Sequence, residues 1–126
     1  MKPENVLIDL QGYIRITDFG LSKMRVKTDN DALSMCGTPE YLAPEILYKK
    51  GYGKVVDWWT LGCIIIEMVT GYPPFQGSNR NTLFDKIKNG LVKMPKGVSA
   101  DLLDLLTKLL ERDPKKRLGA SMVKLE

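Results

Sequence analysis

The run Cys36-Gly37-Thr38-Pro39-Glu40-Tyr41-Leu42-Ala43-Pro44-Glu45, with Asp18-Phe19-Gly20 ahead of it, decides the fold of this 126-residue chain. The earlier triplet sets a carboxylate two residues before a glycine, and the later run holds two prolines, each followed by a glutamate, the second pair closing it. Between them, residues 25–35 carry no hydrophobic period and several polar side chains, which reads as a loop. Upstream, Val6-Leu7-Ile8 and Tyr13-Ile14-Arg15-Ile16 are short runs rich in β-branched residues. Gln11-Gly12 between them has turn chemistry, because Gly12 accepts the positive φ of a tight hairpin. With those two residues as the turn, Leu10 faces Tyr13, Ile8 faces Arg15 and Asn5 faces Asp18. Opposed Cβ atoms stand about 5 Å apart, so the Asn5 and Asp18 oxygens fall within reach of one Mg²⁺, whose ligands lie near ~2.1 Å. By residue type alone, the same two side chains are equally ordinary polar residues at strand ends.

Downstream the pattern is helical. A short helix follows Ala43-Pro44-Glu45 through Tyr48 and stops at Gly51. Residues 56–70 are apolar on nearly every face, which marks a central buried helix. Gly71 caps it, and Pro73-Pro74 forbids continuation. Asp57, near its start, suits the positive end of the helix dipole. Ser78 caps a helix over residues 80–88 that Asn89-Gly90 stops, and Ser99 caps another running to Glu111. Leu102, Leu106 and Leu109 share a face of the latter, with Leu103 and Leu110 beside them, which is core patterning.

Composition excludes several classes. The net charge is +4, but the basic residues are scattered, with one tight cluster at Lys115-Lys116-Arg117. That argues for a solvated, mildly basic surface and no nucleic-acid partner. The longest apolar run, residues 58–69, is broken by Thr60, Gly62 and Glu67. It falls short of the ~18 residues of a spanning segment, so no membrane segment is expected. The start, Met1-Lys2-Pro3-Glu4-Asn5, is polar and carries no signal peptide. Cys36 and Cys63 lack metal-ligand spacing and there is no histidine to join them. They read as reduced thiols of an intracellular protein, cytoplasmic and/or nuclear.

Taken together, the Lys2-Pro3-Glu4-Asn5 run, the DFG and APE triplets in order and Asp57-Trp58-Trp59 resemble the catalytic domain of eukaryotic protein kinases. Trp58-Trp59 favours the AGC group. The resemblance implies ATP and Mg²⁺ as cofactors, with Asp18 and Asn5 holding the metal ions that bridge the nucleotide phosphates. It makes Lys2 the residue that neutralises the transferring phosphoryl group, which implies serine or threonine substrates. Thr38 then bridges that lysine and the catalytic aspartate. Ser34 matches a phosphosite served by an upstream activating kinase, with Lys23 among its partners, since a phosphate orders a loop against cations. Met35, Pro39 and Leu42 match the pocket for the residue after the phosphorylated hydroxyl; ordinary packing explains the trio equally. Asp57 matches the anchor of the catalytic-loop backbone, and Arg117 the partner of Glu45, a buried pair in the family. Glu4 and Glu67 match two acids that contact an arginine two places before the hydroxyl, although Tyr41 is an alternative neighbour of Glu67.

The sequence also departs from the family. The motif His-Arg-Asp, one residue, then Lys is met here only from the intervening residue, Met1. The catalytic aspartate, the arginine that receives the loop phosphate and the N-lobe with its Gly-rich loop are not in these 126 residues. The expectation is therefore a partial protein-kinase-like fold over residues 1–126: a mainly α C-lobe with one small β-hairpin carrying the DFG segment. Its parent is an AGC-type Ser/Thr kinase acting on protein substrates with arginine before the hydroxyl. The chain alone is inactive and needs the missing N-lobe. The alternative is a non-catalytic kinase-like module that binds substrates or regulators.

Overall fold

The computed structural model describes residues 1–17, 39–48 and 53–120. Its elements are an antiparallel hairpin of β1 (Val6–Ile8) and β2 (Ile14–Ile16), then helices α1 (Pro44–Leu47), α2 (Val55–Thr70), α3 (Arg80–Asn89) and α4 (Ala100–Leu109). Short 3₁₀ turns at Pro3–Asn5 and Pro39–Tyr41 precede β1 and α1.

The hairpin register differs by one from the sequence expectation. Val6 pairs with Ile16, Leu7 with Arg15 and Ile8 with Ile14. The loop is Leu10-Gln11-Gly12, three residues instead of two, and Asp9 is the cause. Its Oδ1 accepts the backbone N–H groups of Gln11 and Tyr13, both at 2.9 Å. Its carbonyl accepts Gly12 N–H at 3.0 Å, while Gly12 takes φ +86°. A turn followed by a left-handed glycine is the usual three-residue hairpin loop. Asn5 consequently meets Thr17, whose N–H and Oγ1 donate to the Asn5 carbonyl at 2.8 and 3.3 Å. Asp18 and the rest of the DFG triplet lie outside the described residues.

α2 is the spine of the molecule. Trp59, Cys63, Ile64 and Ile66 are buried along it, against Phe75, Leu83, Ile87, Leu106 and Leu110. The Trp59 and Phe75 rings stack at 5.7 Å. Gly62 brings α2 close to α4, since a Cβ there would stand 3.0 Å from Leu110. Gly71 ends the helix at φ +82°, donating to the Glu67 carbonyl at 2.7 Å, so the expected C-terminal stop is where the chain places it.

Three boundaries move. α1 closes at Leu47 with Tyr48 as its cap; Gly51 is not among the described residues. α3 is capped by Asn79, not Ser78, because the helix starts at Arg80 and only the residue directly before it can reach the orphan amides. The Asn79 carboxamide oxygen accepts Thr82 N–H at 2.9 Å. Ser99 does cap α4, with Oγ accepting Leu102 N–H at 3.2 Å. That helix ends at Leu109 instead of Glu111, and the Lys108 carbonyl at its end accepts Leu118 N–H at 3.0 Å. Among the described residues, no helix is long and apolar enough to cross a membrane.

Candidate functional site

The segment Pro39–Glu45 is fastened to the helical core at both ends. At its start, the Tyr41 hydroxyl donates to a Glu67 carboxylate oxygen on α2. The Tyr41 carbonyl accepts from Thr60 Oγ1 at 3.2 Å, so backbone and side chain are held by the same helix. At its end, Arg117 forks onto Glu45, with Nη1–Oε1 at 2.6 Å and Nη2–Oε2 at 2.9 Å. The Arg117 side chain is 0% exposed and that of Glu45 6%. Two further donors are met by the Glu111 carbonyl at 2.8 Å and the Val55 carbonyl at 3.2 Å, and the guanidinium lies 5.2 Å from the Trp59 ring centroid. With each of its three nitrogens hydrogen-bonded, the guanidinium meets the condition under which such a buried charge is tolerated. Between the anchors, Ala43 and Pro44 are buried, whereas Pro39 and Leu42 keep part of their apolar surface in solvent.

Tyr41 is hydrogen-bonded to Glu67, and the charges of Glu4 and Glu40 reach it as well. Burial first, then the hydrogen bond and charge of Glu67, then the charges of Glu4 and Glu40 push its phenol pKa well above the ordinary value. Glu4 is exposed, on the turn just before β1, and Glu67 is half-buried. Glu40 is the acid that sequence reasoning passed over. Its Oε2 is buried with no hydrogen-bond partner among the described residues. The available signal was its place between Pro39 and Tyr41, inside the decisive run. The trio does not come together as a metal-ligand set. It leaves negative charge beside a partly exposed apolar shelf.

Asn5 ends the Pro3–Asn5 turn, where its N–H donates to the Lys2 carbonyl at 3.0 Å. Its carboxamide makes no hydrogen bond among the described residues. Asp57 is exposed in the first turn of α2 and is not joined by its side chain to the Lys2–Asn5 backbone. Lys2 is half-buried. Asp18, Lys23, Ser34, Met35 and Thr38 lie outside the described residues. Cys63 is buried in the core, and loss of solvation drives its thiol pKa far above the ordinary value. It is therefore a packing residue and not a nucleophile.

The family model for the protein kinase domain matches residues 1–125. The chain belongs to the protein kinase family. It is 50% identical over 120 residues to the cAMP-dependent protein kinase catalytic subunit of Dictyostelium discoideum, covering 95% of this chain and 18% of that protein. It is 49% identical over 126 residues to the serine/threonine protein kinase ypkA of Aspergillus fumigatus, covering 96% and 19%. It is 47% identical over 122 residues to ribosomal protein S6 kinase beta of Caenorhabditis elegans, covering 97% and 22%. These are kinases of the AGC group, and this kinase chain spans about a fifth of their length. Within the kinase fold the described residues supply a helical base, a two-stranded hairpin and the fastened Pro39–Glu45 segment.

Proposed function

We propose that the chain is the substrate-side, C-lobe portion of an ATP- and Mg²⁺-dependent protein serine/threonine kinase that selects arginine before the target hydroxyl. The observation that carries this reading is the Tyr41–Glu67 hydrogen bond beneath the Pro39–Glu45 segment, where the charges of Glu4 and Glu40 also act on Tyr41. Carboxylates meet a guanidinium through directed, charge-assisted hydrogen bonds, so these acids suit an arginine side chain. Met35, Pro39 and Leu42 would receive an apolar residue after the hydroxyl. The Glu45–Arg117 fork keeps that shelf in place while a peptide docks.

The cofactor fits the donor chemistry. Asn5 carries a carboxamide oxygen that accepts no hydrogen bond among the described residues, at the open end of the hairpin, and Asp18 follows directly on Thr17, which is bonded to Asn5. Hard oxygen donors of this kind suit Mg²⁺. The bound metal–nucleotide supplies the phosphoryl group and neutralises its charge. Lys2 would steady the phosphoryl oxygens and Thr38 would orient Lys2. Ser34, modified by an upstream kinase, would order its loop with help from Lys23. The setting is intracellular.

These 126 residues include neither a His-Arg-Asp aspartate nor a Gly-rich loop, so the chain by itself is expected to transfer no phosphate. The test uses labelled ATP, Mg²⁺ and an Arg-x-Ser peptide. The full-length kinase turns over and its Asp18→Ala variant does not, while the 126-residue chain is silent. Turnover by the chain alone that Asp18→Ala abolishes would overturn the proposal.

A further inference from the structure

The C-terminus of α3 presents Asn89 followed by Gly90, with Asn89 exposed. Glycine has no side chain to hinder its own backbone nitrogen from attacking the carboxamide before it. Three contacts oppose that attack. Gly90 N–H donates to the Lys86 carbonyl at 2.8 Å. The Asn89 Nδ2 donates to Asp85 Oδ1 at 3.0 Å, which holds the carboxamide along the helix. The third comes from 22 residues away, where Arg112 lays its guanidinium over the end of α3. Its Nε donates to the Ile87 carbonyl at 2.9 Å, and its Nη2 to the Gly90 carbonyl and, at 3.4 Å, to that of Lys86. A cation on the last carbonyls of a helix satisfies groups with no intrahelical partner and complements the dipole.

We infer that Asn89 is a site of spontaneous deamidation and that Arg112 is the latch that sets its rate. When the last turn of α3 opens, hydroxide removes the Gly90 amide proton and the nitrogen attacks Asn89 Cγ. The N–Cγ bond forms, the Cγ–Nδ2 bond breaks, and ammonia leaves with a proton from water. A water molecule then opens the succinimide at either carbonyl, giving aspartate or isoaspartate at position 89. The new carboxylate stands four residues from Asp85 at the negative end of the helix, so like charge and dipole both oppose re-forming the turn. The conversion would run one way and loosen the joint between α3 and the loop after α4.

The experiment incubates the full chain at mildly alkaline pH and follows position 89 by peptide mapping and mass spectrometry. Arg112→Gln is expected to deamidate about tenfold faster than the parent chain, as loss of a charge-assisted hydrogen bond shifts the local opening equilibrium. In concentrated urea the two rates become equal. Should Arg112→Gln lose its helical circular dichroism, Arg112→Lys, which keeps the charge without the fork, carries the comparison and falls between. Equal rates in native buffer for the parent and the variant that remains folded, or a parent rate no slower than in urea, would overturn the inference.

Discussion

Arg117→Met removes a guanidinium that makes four hydrogen bonds, two to Glu45 and one each to the Glu111 and Val55 carbonyls. Methionine refills much of the volume under Trp59, so lost packing is the smaller part of the change. The larger part is the Glu45 carboxylate, left only 6% exposed with neither of its donors. Removing one partner of a buried pair costs about 3–5 kcal/mol, a large share of the ~5–15 kcal/mol that holds a domain together. The double variant Glu45→Leu/Arg117→Met removes the stranded charge and should recover at least about 2 kcal/mol of that loss, because an apolar replacement of a buried pair is often near neutral. Urea unfolding followed by tryptophan fluorescence reports the changes, read from midpoints at constant slope. An Arg117→Met variant within about 1 kcal/mol of the parent, or a double variant that is simply additive, would refute a stranded Glu45 charge as the cause.

Gly119→Ala should destabilise the chain by about 1–3 kcal/mol, seen as a lower melting temperature, because a left-handed backbone acquires a Cβ; that Cβ would lie 2.3 Å from Trp58 Nε1 at φ +93°. Asn79→Ala should cost about 1 kcal/mol by thermal melting and Ser78→Ala close to nothing, since only the former removes a helix cap. Cys63 and Tyr41 both hold their protons more tightly when folded, their pKa values being raised above the ordinary 9.0 and 10.0. Their contribution is complete below pH 9 and is lost as pH rises beyond those ordinary values, because the unfolded chain then releases protons the folded chain keeps. Melting temperature should therefore fall at alkaline pH, less steeply in Tyr41→Phe, and a flat profile would contradict this. In the folded chain Cys63 should resist alkylation at pH 8 until denaturant is added, as peptide mapping will show.

Local chemistry made α2 legible, since a helix apolar on nearly every face must be central and Gly71 with Pro73-Pro74 must end it. The hairpin was legible as an element but not in its register. Gln11-Gly12 has turn chemistry, yet the Asp9 carboxylate, held below its usual pKa first by the Tyr13 amide, widens the loop by one residue. Ser78 and Asn79 are both competent caps, and only the first residue of the helix decides between them. No local signal couples Glu45 to Arg117, 72 residues away; the family resemblance alone suggested the pair. Asp57 illustrates the converse, for its place in the first turn is legible while its side chain meets nothing among the described residues. Glu40 escaped notice because an acid in such a run is unremarkable until burial leaves one of its oxygens without a partner among the described residues.

The proposed recognition of arginine by Glu4 and Glu67 is open to direct test. Steady-state kinetics of the full-length kinase would compare a peptide bearing arginine two places before the serine with its alanine counterpart. The parent should prefer arginine in kcat/KM, and Glu67→Gln and Glu4→Gln should each shrink that preference by about tenfold, the value of one charge-assisted hydrogen bond. An arginine-to-alanine ratio unchanged in both variants would contradict the assignment of Glu4 and Glu67 to substrate recognition.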